Sequence, residues 1–171
     1  GRSPELVTLL LDSTAFLRLT ISFIAPNTSP LIPSIFSMHP EQAEAYQQLR
    51  ESLEAVLRAR LAHGDHSLLG AYLQALLSYP NACFREEEVT DPEGVVVATA
   101  PSLGEERLYP KERWLLELTT KERQQGRRVL VFCRQTATRD ITHRLAEILR
   151  REGLRVAVLS ASVGTQTRER W

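Results

Sequence analysis

Two largely apolar runs constrain this chain most. Arg128 leads into Val129-Leu130-Val131-Phe132-Cys133, and Gly153 leads into Leu154-Arg155-Val156-Ala157-Val158-Leu159. A run of this kind is the signature of a strand covered on both faces. Between the runs, Ile141, Leu145, Ile148 and Leu149 recur at helical spacing, Thr136 or Thr138 is placed to cap that helix, and Gly153 ends it. Before them, Pro110-Lys111-Glu112 opens a helix that carries Trp114, Leu115 and Leu118 and ends at Gly126. The order helix, strand, helix, strand predicts an α/β unit with parallel strands and a right-handed crossover. Arg168-Glu169-Arg170 reads as the first turn of a further helix. Two strands alone do not make a covered parallel sheet. The chain therefore reads as a cut piece of a larger sheet, or as one that completes its sheet with a neighbour.

The upstream part is helical. Pro40 suits the first helical position and Glu41 the first turn. Tyr46, Leu49, Leu53, Val56, Leu57 and Leu61 form one apolar stripe, and His63-Gly64-Asp65 closes the helix. A second helix is predicted over 67–78, with Leu69, Leu73, Leu76 and Leu77, stopped by Tyr79-Pro80-Asn81. The short turn between them predicts an antiparallel pair with Leu-rich stripes. Residues 1–37 read as an irregular lead-in. It holds a short helix after Ser3-Pro4-Glu5 and an alternating strand from Leu17 to Phe23, and a short extended piece, Ile35-Phe36-Ser37-Met38, follows. Residues 81–107 read as a linker with one extended segment, Val95-Val96-Val97-Ala98-Thr99, and with Glu86-Glu87-Glu88 in solvent.

Composition excludes several classes. The 21 cations balance 21 anions, which rules out a uniformly basic nucleic-acid coat or an acidic disordered chain. Apolar residues at 43% are enough for a core, in one domain or one domain with an appendage across 171 residues. Leu9-Leu10-Leu11 and Val95-Val96-Val97 are too short to cross a bilayer, and no charged-then-apolar signal segment opens the chain. Cys83 and Cys133 make neither a disulfide framework nor a four-ligand zinc site, so a reducing, cytoplasmic setting is expected. Nineteen of the 21 cations are arginine. That suits bidentate contact with phosphate or carboxylate, and it equally suits a GC-rich or thermophilic genome.

No phosphate loop, dinucleotide fingerprint or nucleophile elbow occurs. A small-molecule nucleotide enzyme would need such a cradle. His63-Gly64-Asp65-His66 reads as a solvated helix end, and Cys133 as a core residue without a histidine to activate it. What remains is the strand ends. Open parallel sheets bind ligands beyond the carboxyl ends of their strands. Arg134, Gln135 and Thr136 lie at one such end, before a helix with free N–H groups, and Ser160 and Ser162 lie at the other. Guanidinium, amide and hydroxyl groups on one edge suit the anionic oxygens of a nucleic-acid backbone. Arg139 and Arg168 are further candidates. The same Thr and Ser residues equally suit helix capping.

In their order, these pieces resemble superfamily-two helicases, most of all Swi/Snf-type ATPases. Residues 108–171 are similar to the opening of that family's second RecA-like lobe. Lys111 with Trp114, Leu115 and Leu118 stands for its Lys-led helix, and 129–136 for its fourth motif. Leu159-Ser160-Ala161-Ser162 stands for the turn after its next strand, with Ala161 where the family has Gly. Met38-His39-Pro40-Glu41-Gln42 with Tyr46, and 73–80, resemble the helical segment (38–80) bridging the two lobes. The resemblance implies a partial RecA-like unit in a truncated motor. ATP and Mg2+ would be cofactors of the parent, whose phosphate loop and Asp-Glu box would lie upstream and whose arginine motif would lie downstream. It implies a nucleic-acid partner, DNA before RNA, and a first motor lobe of the same chain. This piece alone is expected to be inactive as an ATPase. The rival expectation is a non-enzymatic interaction module docking through the helical stripes. A homo-oligomer paired through an exposed sheet edge is also compatible.

Overall fold

The computed structural model describes residues 17–19, 34–134 and 137–159. The helix expected after Ser3, the strand expected beyond Leu19, and Gln135, Thr136, Ser160, Ser162 and Arg168 lie outside the described residues. The described part is mixed α/β, with four α-helices and two antiparallel two-stranded sheets.

The lead-in contributes β1 (Leu17–Leu19) and β2 (Ser34–Phe36), paired in the register Leu17↔Phe36 and Leu19↔Ser34. Helix α1 (Pro40–Ala62) starts at Pro40, which has no N–H to leave unpaired, and carries Glu41 at its positive end. Its predicted stripe is the core face. Leu49, Leu53 and Leu57 are buried, and each contributes about 1.5–3 kcal/mol of transfer free energy. The helix ends as expected. His63 N–H bonds the Arg60 carbonyl at 2.9 Å, and Gly64 takes the left-handed turn at φ 76°.

Helix α2 (Leu69–Ala82) departs from expectation because it runs through Pro80. Proline removes the bond to the carbonyl four residues back, so a helix normally stops before it. The carbonyl that loses its donor is that of Leu76, and the carbonyls of Gln74 and Leu77 on either side of it take side-chain donors. Ser78 Oγ bonds Gln74 O at 2.7 Å and Asn81 Nδ2 bonds Leu77 O at 3.3 Å. The Pro80 carbonyl itself accepts from Gln42 Nε2 of α1 at 2.8 Å. Tyr79, one residue earlier, is fully buried and bonds Pro101 O at 2.8 Å. The leucine stripes expected to be open are therefore largely interior, since α1 and α2 pack on each other through Leu49, Leu53 and Leu76.

Residues 81–107 are not merely a linker. They hold a hairpin of β3 (Glu87–Thr90) and β4 (Val96–Ala100), paired antiparallel with Val89 opposite Ala98. The Asp91-Pro92-Glu93-Gly94 turn closes it, with Gly94 at φ 82°. Asp91 Oδ1 accepts the N–H groups of Glu93 and Val95 at 3.1 and 2.8 Å. β4 lies on α1. The Glu86-Glu87-Glu88 cluster is correspondingly split. Strand alternation turns Glu87 inward while Glu86 and Glu88 stay exposed.

Helix α3 (Pro110–Gln124) begins and ends as predicted. Tyr109 N–H bonds Glu112 Oε2 at 3.0 Å, and Gly126 turns the chain at φ 71°. Phe36 of β2 meets Trp114 of α3 edge-on, with ring centroids 5.2 Å apart. Helix α4 (Thr142–Arg151) follows a short 3-10 turn over Ala137–Arg139. Its first turn is capped by Asp140 Oδ1, which accepts Thr142 N–H at 2.7 Å. Thr138, a capping candidate, is exposed instead. Ile141, Leu145, Ile148 and Leu149 are buried as the stripe predicts.

The two apolar runs differ most from expectation. Neither 128–134 nor 154–159 forms a strand ladder among the described residues. Both alternate in burial. Val129, Val131 and Cys133, and then Leu154, Val156 and Val158, are half-buried, while the residues between them face outward. Val131, Cys133, Leu154 and Val156 pack on the same core cluster. Each run is thus covered on one face, because no layer of described residues lies over the other.

Candidate nucleic-acid interface

The outward face of 128–134 is built by period-two geometry. Alternation puts Arg128, Leu130, Phe132 and Arg134 on one side of the chain, and all four are exposed. Phe132 is 64% exposed and Leu130 47%. A large aromatic ring left in water between an aliphatic residue and an arginine is unusual for a residue expected in a core. The second run presents Arg155, Ala157 and Leu159 outward, with Leu159 54% exposed. Aromatic faces stack bases and guanidinium groups hold phosphates, so this face carries both kinds of contact that single strands use.

Of the sequence candidates, Arg134 is described and exposed at the end of its run. Arg139 is placed differently. Its Nε donates to Glu87 Oε1 at 3.0 Å, and a second nitrogen of the same guanidinium contacts the same oxygen. Glu87 is buried, so Arg139 neutralises an internal carboxylate and ties the turn before α4 to the hairpin. Gln135, Thr136, Ser160, Ser162 and Arg168 lie outside the described residues, and with them the meeting of the two strand tips. Sequence reasoning missed Arg128, Leu130, Phe132 and Arg155. The available signal was the position of an arginine at each end of one alternating face.

Other chemistry is structural. Arg144 of α4 grips Glu112 with two nitrogens at 2.6 and 3.0 Å, bonds the carbonyls of Glu105 and Arg107, and lies 4.3 Å from the Phe84 ring centroid. Burial pushes the Cys133 thiol up from its ordinary value, and the nearby Asp140 charge adds to this, so it is not an activated nucleophile. His63 Nδ1 pairs with the Ala59 carbonyl at 2.8 Å, at the end of α1. Among the described residues, no three His, Cys, Asp or Glu side chains gather to hold a metal ion. No helix among them is long and apolar enough to cross a membrane.

No protein-family model, curated protein or solved structure matches this chain.

Proposed function

We propose that this chain is a piece of an ATP-dependent nucleic-acid helicase or translocase, cytoplasmic, and that it supplies backbone contacts of a partial RecA-like second lobe. The observation that carries this reading is the exposed Arg128, Leu130, Phe132 and Arg134 face, on a run that precedes α4 and packs its other side on the core. The order α3, apolar run, α4, apolar run supports it, as does the helical unit upstream. The partner would be a single strand, DNA before RNA. Arg134 would hold a phosphate and Phe132 would stack a base, the latter contributing about 1–3 kcal/mol. Gln135, Thr136, Ser160, Ser162 and Arg168 would complete the backbone contacts, and Arg139 would help to position this edge through Glu87.

ATP and Mg2+ would be cofactors of the parent motor. The described residues do not fit them. The left-handed glycines Gly64, Gly94, Gly104, Gly126 and Gly153 are scattered singly, whereas a phosphate cradle of successive N–H groups gathers its glycines in one loop. Nucleotide would therefore bind to other parts of the motor, including its first lobe, and this piece alone would not hydrolyse it.

The test is a titration of labelled single-stranded and duplex DNA with the chain, Arg134→Ala and Phe132→Ala. With no net charge, the chain should bind weakly and lose affinity steeply with salt. Both variants should bind single strands less well. Equal affinity for the chain and Arg134→Ala removes Arg134 from the site. No affinity for either DNA at low salt sinks the reading.

A further inference from the structure

A small cleft lies where β2, α1, α2 and α3 meet, well away in sequence from the Phe132 face. Phe36, Met38, Gln42, Pro80, Tyr109 and Lys111 line it, and its free volume is about 20 Å³. That is room for roughly one water-sized group. Two features mark it as more than a packing gap. Gln42 is only 2% exposed, and its Nε2 is satisfied by Pro80 O and Cys83 Sγ, but its Oε1 has no hydrogen-bond partner. A buried acceptor without a donor is costly. Lys111, at the start of α3, offers Nζ to neutral Asn81 Oδ1 at 2.7 Å and joins no ion pair among the described residues. The nearby carboxylates are occupied elsewhere, Glu41 by Arg107 at 2.6 Å and Glu112 by Arg144. The remaining titratable group on the cleft wall is Tyr109, whose OH bonds Gly104 O at 2.8 Å.

A lysine with apolar walls, no counter-charge and the positive end of its own helix beside it is disfavoured as an ammonium. We propose that Lys111 is an acylation site, whose amine takes a short acyl group from small acyl thioesters. Its nitrogen lone pair forms the N–C bond at the thioester carbonyl. The tetrahedral adduct carries two N–H groups on nitrogen. Asn81 Oδ1 accepts one, and the other is the proton the departing thiolate takes. The C–S bond then breaks with its electron pair on sulfur, and the thiolate takes the proton that nitrogen loses. Amine and thioester become amide and thiol. The product is neutral, so acylation removes a poorly solvated charge where at an ion-paired lysine it would break a salt bridge. With room for only about one water-sized group, the cleft holds the amine itself, and the shortest acyl groups, such as acetyl, add least bulk beyond it. Burial pulls the Lys111 amine down to about 7, so about half of it is free base near neutral pH. An ordinary lysine, at about 10.4, has roughly one amine in two thousand free there. This inference is independent of the nucleic-acid reading.

The sequence holds one other lysine, the exposed Lys121, which serves as an internal standard. The folded chain is treated with S-phenyl thioacetate near neutral pH, and acetylation at each lysine is followed by peptide mass spectrometry. Lys111 should be acetylated at least about tenfold faster than Lys121. In concentrated guanidinium the preference should vanish, and near pH 10 it should shrink as both amines lose their protons. A folded chain in which Lys121 reacts as fast as Lys111 near neutral pH overturns the proposal. A preference that survives in guanidinium also overturns it, since the cleft would not be its cause.

Discussion

Arg144 and Glu112, separated by 32 residues, form a two-pronged ion pair that joins α4 to the first turn of α3. Both side chains are largely removed from water, and Glu112 also holds the N–H that opens its own helix. Breaking such a pair leaves an uncompensated buried carboxylate beside Tyr109. Arg144→Ala should therefore cost about 3 kcal/mol in urea unfolding. Arg144→Lys should recover only part of this, because an ammonium cannot span both carboxylate oxygens and two carbonyls at once. A loss below about 1 kcal/mol for Arg144→Ala would mean that solvent already screens the pair.

Arg134 and Arg139 should separate cleanly by experiment. Arg139 serves a buried carboxylate and Arg134 faces water. Arg139→Ala should lower stability by about 2–3 kcal/mol and leave phosphate contact by the Phe132 face intact in whatever fraction remains folded. Arg134→Ala should leave stability within about 0.5 kcal/mol and weaken single-stranded DNA binding. Paired denaturation and anisotropy measurements check both. A stable Arg139→Ala protein with lost DNA binding would reverse the two assignments.

These two arginines also show what the sequence makes legible. Helices α1 and α3 are readable because each combines an apolar stripe with Pro at its first position and Gly past its end. The passage of α2 through Pro80 is not, because it is supported by Gln42, which lies 38 residues away. Glu87 reads as a solvated charge because its partner Arg139 is 52 residues distant, and no local pattern announces that pairing. The run 129–133 is apolar throughout, so periodicity alone does not say that Leu130 and Phe132 face outward. Arg134 was legible as a site candidate because it stands where the apolar pattern stops. The Lys111 cleft was not, because β2 and three helices assemble it from separate parts of the chain.

Gly94 tests the hairpin that replaces the expected linker. Its φ of 82° is left-handed, and a Cβ added there would meet nothing within 4 Å. Gly94→Ala should thus cost only the backbone strain, about 1 kcal/mol. The Asp91 carboxyl is held below its usual range, first by the Val95 N–H and then by Arg60, which contacts it at 2.5 Å. Its contribution to the turn is present above the ordinary aspartate pKa and is lost as pH falls through the lower folded value. The Val95 amide shift, followed by NMR on acidification, should move with that titration. A shift that moves only at the ordinary aspartate pKa would show that the turn does not hold the carboxylate.

The Lys111 cleft makes a prediction about stability with a definite sign. Burial sets the folded amine at about 7, against about 10.4 in the unfolded chain. Between those values the unfolded chain binds more protons, so stability should rise as pH increases from about 7. Cys83 acts in the opposite sense. Burial pushes its thiol up to about 11, so above the unfolded thiol value of about 8.5 the unfolded chain ionises first and stability is lost. Their balance should give a rise from about pH 7 to 8.5 and a flattening or decline beyond. Lys111→Met suits the apolar walls of Phe36, Met38 and Pro80 and carries no proton to release. It should abolish the rise while keeping the decline due to Cys83. Urea midpoints measured across this range decide the matter. A Lys111→Met protein with the same rise as the parent chain would place its origin in another group and remove the desolvated amine from the account.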